Sequence, residues 1–317
     1  MRQNHILFII AAAALCASCI KSETDGSNII SFSPVASKAT KAIINGTTYP
    51  DTASFVVSAY HNVTSTYFEN LTASYNQSIR LWETSTAEYW PLGGSLTFHA
   101  YSPAFVDSVA IDASGVTATG YTVQTSEQMV TDLCYATANV ADCSIHPDAV
   151  PLNFSHALSQ IVFKVKAAAN YSTSGSTFSL AMTSLSLSDI NSKGDFAEGQ
   201  WDDQRAPYSY DLADTVALTY NAQNAADTVT VCANLFIPQE IGADARLNVG
   251  YSVSQNISGT EYRLDNPPVS IPLRSTVTEW QPGKKYIYLL SIGLDNLITF
   301  TASAAEWTAQ EGGVVVE

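Results

Sequence analysis

Apolar and polar positions alternate along most of the chain. In Ile161-Val162-Phe163-Lys164-Val165-Lys166, the residues Ile161, Phe163 and Val165 fall on one side, and Leu185-Ser186-Leu187-Ser188 repeats the same step. A period of two sends successive side chains to opposite faces of a strand. Runs of this kind, bounded by Gly, Pro, Asn, Asp and Ser, recur at 28–32, 54–60, 96–101, 106–112, 160–166, 177–187, 215–220, 228–236, 246–253, 285–292 and 297–302. Few stretches carry a 3.6-residue stripe, and short helical turns are expected only near 126–138 and 155–159. Many short strands between turn residues predict an all-β protein built of β-sandwiches. The Asp-, His- and Pro-rich stretch 142–151 is the expected boundary. It gives one sandwich over 28–145 and a second over 146–317, each long enough for its own core.

Composition narrows the classes further. Hydrophobic residues make up 46% of the 317 positions and charged residues only 14%, against about 25% charged in an average soluble domain. Fourteen Lys and Arg against 29 Asp and Glu give a net charge of −15. A nucleic-acid binder needs a basic face to neutralise phosphates, so that class is excluded. The apolar and aromatic content excludes disorder. A helical bundle would display many more Lys, Glu and Arg on its outer faces. Abundant Ser, Thr and Tyr with little charge suits exposed strands.

The first residues read as an address. Met1-Arg2-Gln3-Asn4-His5 precedes an apolar run over 6–14 that is shorter than the roughly 20 residues a spanning helix needs. Residues 1–18 therefore read as a secretory signal peptide. The segment Leu15-Cys16-Ala17-Ser18-Cys19 resembles a bacterial lipobox, with small residues before Cys19, which is the expected lipidation site. Residues 19–27 then form a polar, acidic tether, and the lipid would hold the chain on the outer membrane. Three cysteines follow, Cys134, Cys143 and Cys232. Cys134 and Cys143 are close enough in sequence to close a short disulfide loop in an oxidising compartment, or both remain free thiols. Cys232, in a strand-like run, reads as a buried free thiol.

Catalytic chemistry is hard to find. No metalloprotease, nucleophile-elbow or phosphate-loop motif occurs. His61, His99, His146 and His156 are widely separated, and no Cys/His spacing suits zinc. Asp189-Ile190-Asn191-Ser192-Lys193-Gly194-Asp195 is a poor calcium loop, because Lys193 occupies a ligand position and Gln200 the twelfth; it reads as a turn. Asp202 and Asp203 are adjacent, so on a strand they point apart. The chain is expected to be no enzyme and to carry no metal or cofactor. Asp51-Thr52-Ala53, Asp107-Ser108-Val109, Asp214-Thr215-Val216 and Asp227-Thr228-Val229 match a bacterial O-glycosylation acceptor pattern.

Five blocks, in order, resemble the fimbrillin-like family, the type V pilin subunits and related lipoproteins of Gram-negative anaerobes. They are the runs 90–103, beginning Trp90-Pro91-Leu92-Gly93-Gly94; 128–133, Gln128-Met129-Val130-Thr131-Asp132-Leu133; 150–165, beginning Val150-Pro151-Leu152-Asn153-Phe154-Ser155-His156-Ala157-Leu158; 235–239, Leu235-Phe236-Ile237-Pro238-Gln239; and 280–288, beginning Trp280-Gln281-Pro282-Gly283-Lys284, followed by Ile298-Thr299-Phe300 and Trp307. The resemblance implies two tandem transthyretin-like, Greek-key sandwiches and a fimbrial role in adhesion, with other fimbrial subunits as partners. In pilins of this kind a protease removes an N-terminal strand, and a strand of the next subunit enters the vacated groove.

Asn28-Ile29-Ile30-Ser31-Phe32-Ser33-Pro34 fits the removable strand, with Ile30 and Phe32 as its inward pegs. Lys38 or Lys41 would be the cleavage position; the best-known pilins carry Arg there. Val314-Val315-Val316 near the C-terminus is either a donor strand or the last edge strand. An alternative is a surface glycan-binding lipoprotein, whose mark would be exposed aromatics such as Tyr67 and Tyr75 or Tyr208 and Tyr210.

Overall fold

The computed structural model describes residues 28–36, 49–126, 128–218, 228–294 and 298–307. β1 (Ser31–Ala36), β2 (Phe55–His61), β3 (Ser65–Asn76), β4 (Leu81–Thr84) and β5 (Leu96–Ser102) belong to a first unit. The chain leaves it for a hairpin, β6 (Val109–Asp112) and β7 (Gly115–Thr122), then returns as β8 (Cys134–Val140) and β9 (Val150–His156). The neighbour order β1-β4-β3-β2-β5-β8-β9 closes into a barrel, because β1 pairs antiparallel with β4 and parallel with β9. Closure satisfies ladder groups that an open sheet would leave at its edges. Phe32, Phe55, Phe98, Phe154 and Trp82 fill the interior.

The second unit is a sandwich. Its strands are β10 (Ser159–Ala167), β11 (Ser176–Ala197), β12 (Gln200–Ala213), β13 (Val216–Leu218), β14 (Val229–Phe236), β15 (Gln239–Glu240), β16 (Arg246–Ile257), β17 (Thr260–Pro272), β18 (Glu279–Trp280), β19 (Lys284–Ile292) and β20 (Ile298–Glu306). One sheet runs β14-β10-β19-β20 and the other β17-β16-β11-β7-β6, with β12 and β13 also on β11 and a short β15–β18 ladder beside them. Ile161, Phe163 and Val165 of β10 and Leu290 of β19 share one core with Met182, Leu185 and Leu187 of β11 and Leu247 and Val249 of β16. The alternation read from Ile161 to Lys166 is therefore the core-facing side of β10.

The two units are threaded through each other, and β2 shows how. Its burial is nearly continuous, because Phe55, Val57 and Ala59 face the barrel interior while Val56 and Tyr60 pack in the sandwich's core. The Tyr60 hydroxyl donates to the Ile111 carbonyl of the hairpin at 3.3 Å. The expected boundary at 142–151 consequently does not separate the units. Val150, Leu152 and Phe154 of β9 belong to the barrel core, while Ile111 and Val116 of the β6–β7 hairpin belong to the other.

Local readings also change. The expected helical turn at 126–138 is a turn followed by β8, and 155–159 spans the end of β9 and the entry to β10. The stretch 189–195 lies inside the long β11, with Asp189 at φ 58° and a register shift between Leu187 and Ile190. Such a bulge bends the strand without ending it.

Candidate functional site

The strand expected to be removable is the one that closes the barrel. Phe32 to Ala36 run parallel to Val150 to Phe154 of β9, and Ser31 and Phe32 pair with Glu83 and Trp82 of β4. Just before β1, the Ile30 amide donates to the Glu88 carbonyl at 2.7 Å and the Trp90 amide to the Asn28 carbonyl at 2.9 Å. Ile30 and Phe32 are both fully buried, as pegs on one face must be. The Phe32 ring meets Phe55 and Phe98 edge-on, each at 5.7 Å between centroids. Parallel pairing is slightly weaker per residue than antiparallel pairing, and β1 has only a short antiparallel ladder on its other side.

A second constellation lies where the chain re-enters and leaves the barrel. Asp132 precedes β8, Cys134 begins it, and His156 ends β9; the Ala157 amide donates to the Leu133 carbonyl at 2.8 Å, tying the two crossings together. Asp132, Cys134 and His156 are buried, and one ligand atom of each lies within 4.8 Å of the others. His156 Nδ1 is 2.9 Å from Asp132 Oδ1 and 3.5 Å from Cys134 Sγ. Trp307, at the end of β20, stacks on the His156 ring at 3.9 Å. Burial, and then the Asp132 carboxylate, push the Cys134 thiol well above its ordinary value.

This arrangement does not activate a thiol nucleophile. In a nucleophile–base–orienter set, the nucleophile and the carboxylate address different imidazole nitrogens. Here both face Nδ1, and the thiol is held protonated. The sequence reading missed the grouping because Asp132 and Cys134 are 24 and 22 positions from His156, outside any zinc spacing. The available signal was the Asp132-Leu133-Cys134 step, an acid and a thiol two positions apart leading into a strand.

The other expected sites fare differently. Cys134 and Cys143 are both free, as is Cys232. The Cys134–Cys143 disulfide is thus corrected. Cys134 pairs with Ser102 at one end of β8 and Val140 with Leu96 at the other, and the Cys143 amide donates to Gly94 beyond that end. At about 3.3 Å per strand residue, the two Cα atoms are held far beyond the roughly 7 Å limit for bridged residues. Cys19, Lys38, Lys41, Val314, Val315 and Val316 lie outside the described residues. Tyr210 is buried and donates to the Val123 carbonyl at 2.6 Å, leaving Tyr208 exposed, while Tyr67 and Tyr75 are half-buried. These tyrosines form no open platform. Thr52, Ser108 and Thr215 of the glycosylation-type patterns are exposed, and Thr228 is half-buried.

At the barrel end where β2 stops and β5 starts, three loops are hydrogen-bonded together. The Asn62 amide donates to Ser95 and the Cys143 amide to Gly94. They expose the apolar side chains of Val63, Leu92 and Ile145. No helix among the described residues is long and apolar enough to cross a membrane.

A strand-closed barrel threaded into a sandwich defines a tandem all-β protein. Residues 36–307 match the fimbrillin-like family model, and the chain belongs to that family. It is similar in fold to a candidate cell adhesion protein of Bacteroides uniformis, at 15% identity and a TM-score of 0.51, covering 90% of this chain and 100% of that one. A second such protein, from Bacteroides eggerthii, is 13% identical with a TM-score of 0.52, over 89% and 96% of the two chains. A third, from Bacteroides ovatus, is 14% identical with a TM-score of 0.51, over 90% and 99%. Comparison with curated proteins gives no match.

Proposed function

We propose that the chain is a fimbrial subunit or accessory protein, exported as an outer-membrane lipoprotein through Cys19, that assembles by β-strand exchange and mediates surface adhesion. The observation that carries this reading is β1. It is a short strand that seals the barrel with Ile30 and Phe32, and it lies just before Lys38 and Lys41. A cut there would free β1 while leaving β4 and β9 with unpaired ladder groups around an open aromatic core. An incoming strand from another subunit would satisfy both at once. The exposed tips Val63, Leu92 and Ile145 offer an apolar contact surface on the loops at one end of the barrel. Family membership supports the fimbrial reading, and the adhesion proteins of similar fold support the adhesive one.

Mild trypsin treatment tests it. Loss of the residues up to about Lys41, followed by SDS-resistant ladders that excess peptide of sequence 28–36 suppresses, is the expected result. A chain that is cut there and stays monomeric would overturn strand exchange.

A second reading, a surface glycan-binding lipoprotein, rests on one cleft in the sandwich. It has a volume of about 330 Å³ and is lined by Asn191, Gln200, Glu240 and Glu279 beside Trp201 and Trp280. Amide and carboxylate groups around aromatic rings suit sugar hydroxyls. Retardation in a polysaccharide-containing gel, lost on Gln200→Ala with Glu279→Gln, would favour it.

A further inference from the structure

We propose that Asp132, Cys134 and His156 form a zinc(II) site that ties together the two crossings of the chain between the barrel and the sandwich. The argument starts from unmet hydrogen bonds. Among the described residues, buried side-chain atoms without a partner are His99 Nε2, Tyr121 OH, Asp132 Oδ2 and Trp307 Nε1. Three of these four surround one spot. Asp132 belongs to the cluster, Trp307 stacks on His156, and Tyr121 lies near enough that burial, and then the Asp132 carboxylate, raise its hydroxyl. Burying an unsatisfied carboxylate oxygen is costly.

A hydrogen-bonded triad does not resolve this crowding. One Nδ1–H serves Asp132 Oδ1 at 2.9 Å, with the Cys134 sulfur 3.5 Å from the same nitrogen, and Asp132 Oδ2 is left without a partner. A divalent ion resolves it. Thiolate and carboxylate together neutralise its charge, and the imidazole binds through the lone pair of Nδ1. Zinc bonds of about 2.0–2.1 Å to nitrogen and oxygen and about 2.3 Å to sulfur give tetrahedral edges of roughly 3.3 Å (N to O) and 3.5 Å (N to S). The observed separations, 2.9 and 3.5 Å, need only a small spreading. The donor set of one thiolate, one imidazole and one carboxylate is borderline-soft and suits zinc over calcium or magnesium. The fourth position falls to a water, for which the Tyr121 hydroxyl and Trp307 Nε1 are available partners. Binding releases the thiol proton of Cys134 to solvent and moves the imidazole proton off Nδ1, so affinity falls as pH falls.

The elements joined give the site its purpose. Asp132 and Cys134 mark the return into the barrel, His156 marks the exit, and Trp307 closes the last described sandwich strand. An ion here would fix the hinge between a unit whose closing strand is to be exchanged and a unit that stays folded.

The test uses the purified full chain, stripped with chelator, incubated with zinc or cobalt(II) and desalted. One equivalent of zinc per chain is expected by mass spectrometric metal analysis. Cobalt should give a thiolate-to-metal charge-transfer band and intense tetrahedral d–d bands. Cys134→Ser should abolish the charge-transfer band and weaken zinc binding at least tenfold while circular dichroism stays native. Asp132→Asn, with Cys134 intact, should also weaken binding about tenfold or more. The difference between wild type and Cys134→Ser reads this site apart from Cys16, Cys19, Cys143 and Cys232. A folded wild type that retains no more zinc than its stripped control would overturn the assignment. So would undiminished zinc affinity in Cys134→Ser.

Discussion

Replacing Phe32 by Ala should open the barrel from within. Phe32 is fully buried, and its ring meets Phe55 and Phe98 at 5.7 Å on either side. Aromatic truncations in such cores cost about 3–5 kcal/mol, the transfer of the lost ring plus the cavity left behind. Two edge-on ring contacts, each contributing about 0.5–1.5 kcal/mol, put the change in the upper part of that range. The neighbours cannot collapse easily, because Phe55 and Phe98 sit on β2 and β5, whose outer faces are themselves packed. A total stability of about 5–15 kcal/mol would lose a large fraction. Urea unfolding followed by tryptophan fluorescence reads it. With a slope near 3 kcal/mol/M, the midpoint should fall by about 1 M or more. Val35, on the same strand but 37% exposed, is the control; Val35→Ala should change stability by no more than about 0.5 kcal/mol. Equal midpoints for Phe32→Ala and Val35→Ala would show that β1 does not seal this core. That outcome would also remove the structural reason for strand exchange.

Peptide mapping of the purified chain without reductant should find Cys134 and Cys143 unlinked, and native protein should resist thiol alkylation at Cys134, since burial raises its thiol. Burial also pushes Cys232 up to about 12, so its labelling at neutral pH should be slow until the chain unfolds. Desolvation holds His99 below its ordinary value, so as pH falls through about 6.5 the unfolded chain takes up the proton first and stability is lost. His99→Gln should therefore show a smaller drop in urea midpoint between about pH 7.5 and pH 5.5 than wild type; parallel slopes would remove His99 from that account. Gly199→Ala places a Cβ against the Tyr135 hydroxyl at φ 82°, where the barrel's β8 meets the β11–β12 hairpin, and should cost about 1–3 kcal/mol by thermal or urea unfolding.

How much of this was legible depends on where each strand finds its partner. Ile161, Phe163 and Val165 announce themselves because their alternation coincides with burial. β8 does not. Thr131 to Ala138 has a helix-compatible composition, and only pairing with Leu96 to Ser102, more than thirty residues earlier, makes it a strand. β17 is hidden for the opposite reason. It is an exposed edge strand carrying Pro267 and Pro268, so neither burial nor an uninterrupted β run marks it. The boundary failed because local composition reports loops, whereas the division of the cores is set by β6 and β7 joining β11 across seventy residues. The same non-local threading makes the Asp132–Cys134–His156 cluster. Asp132 and Cys134 are two positions apart at the entry to β8, but His156 reaches them only because β8 and β9 return beside each other, with Cys134 opposite His156 in the ladder. A spacing rule presumes ligands on one local motif. Where two crossings of the chain supply them instead, as here, the grouping is a property of topology, and it lies where the chain passes between the barrel and the sandwich.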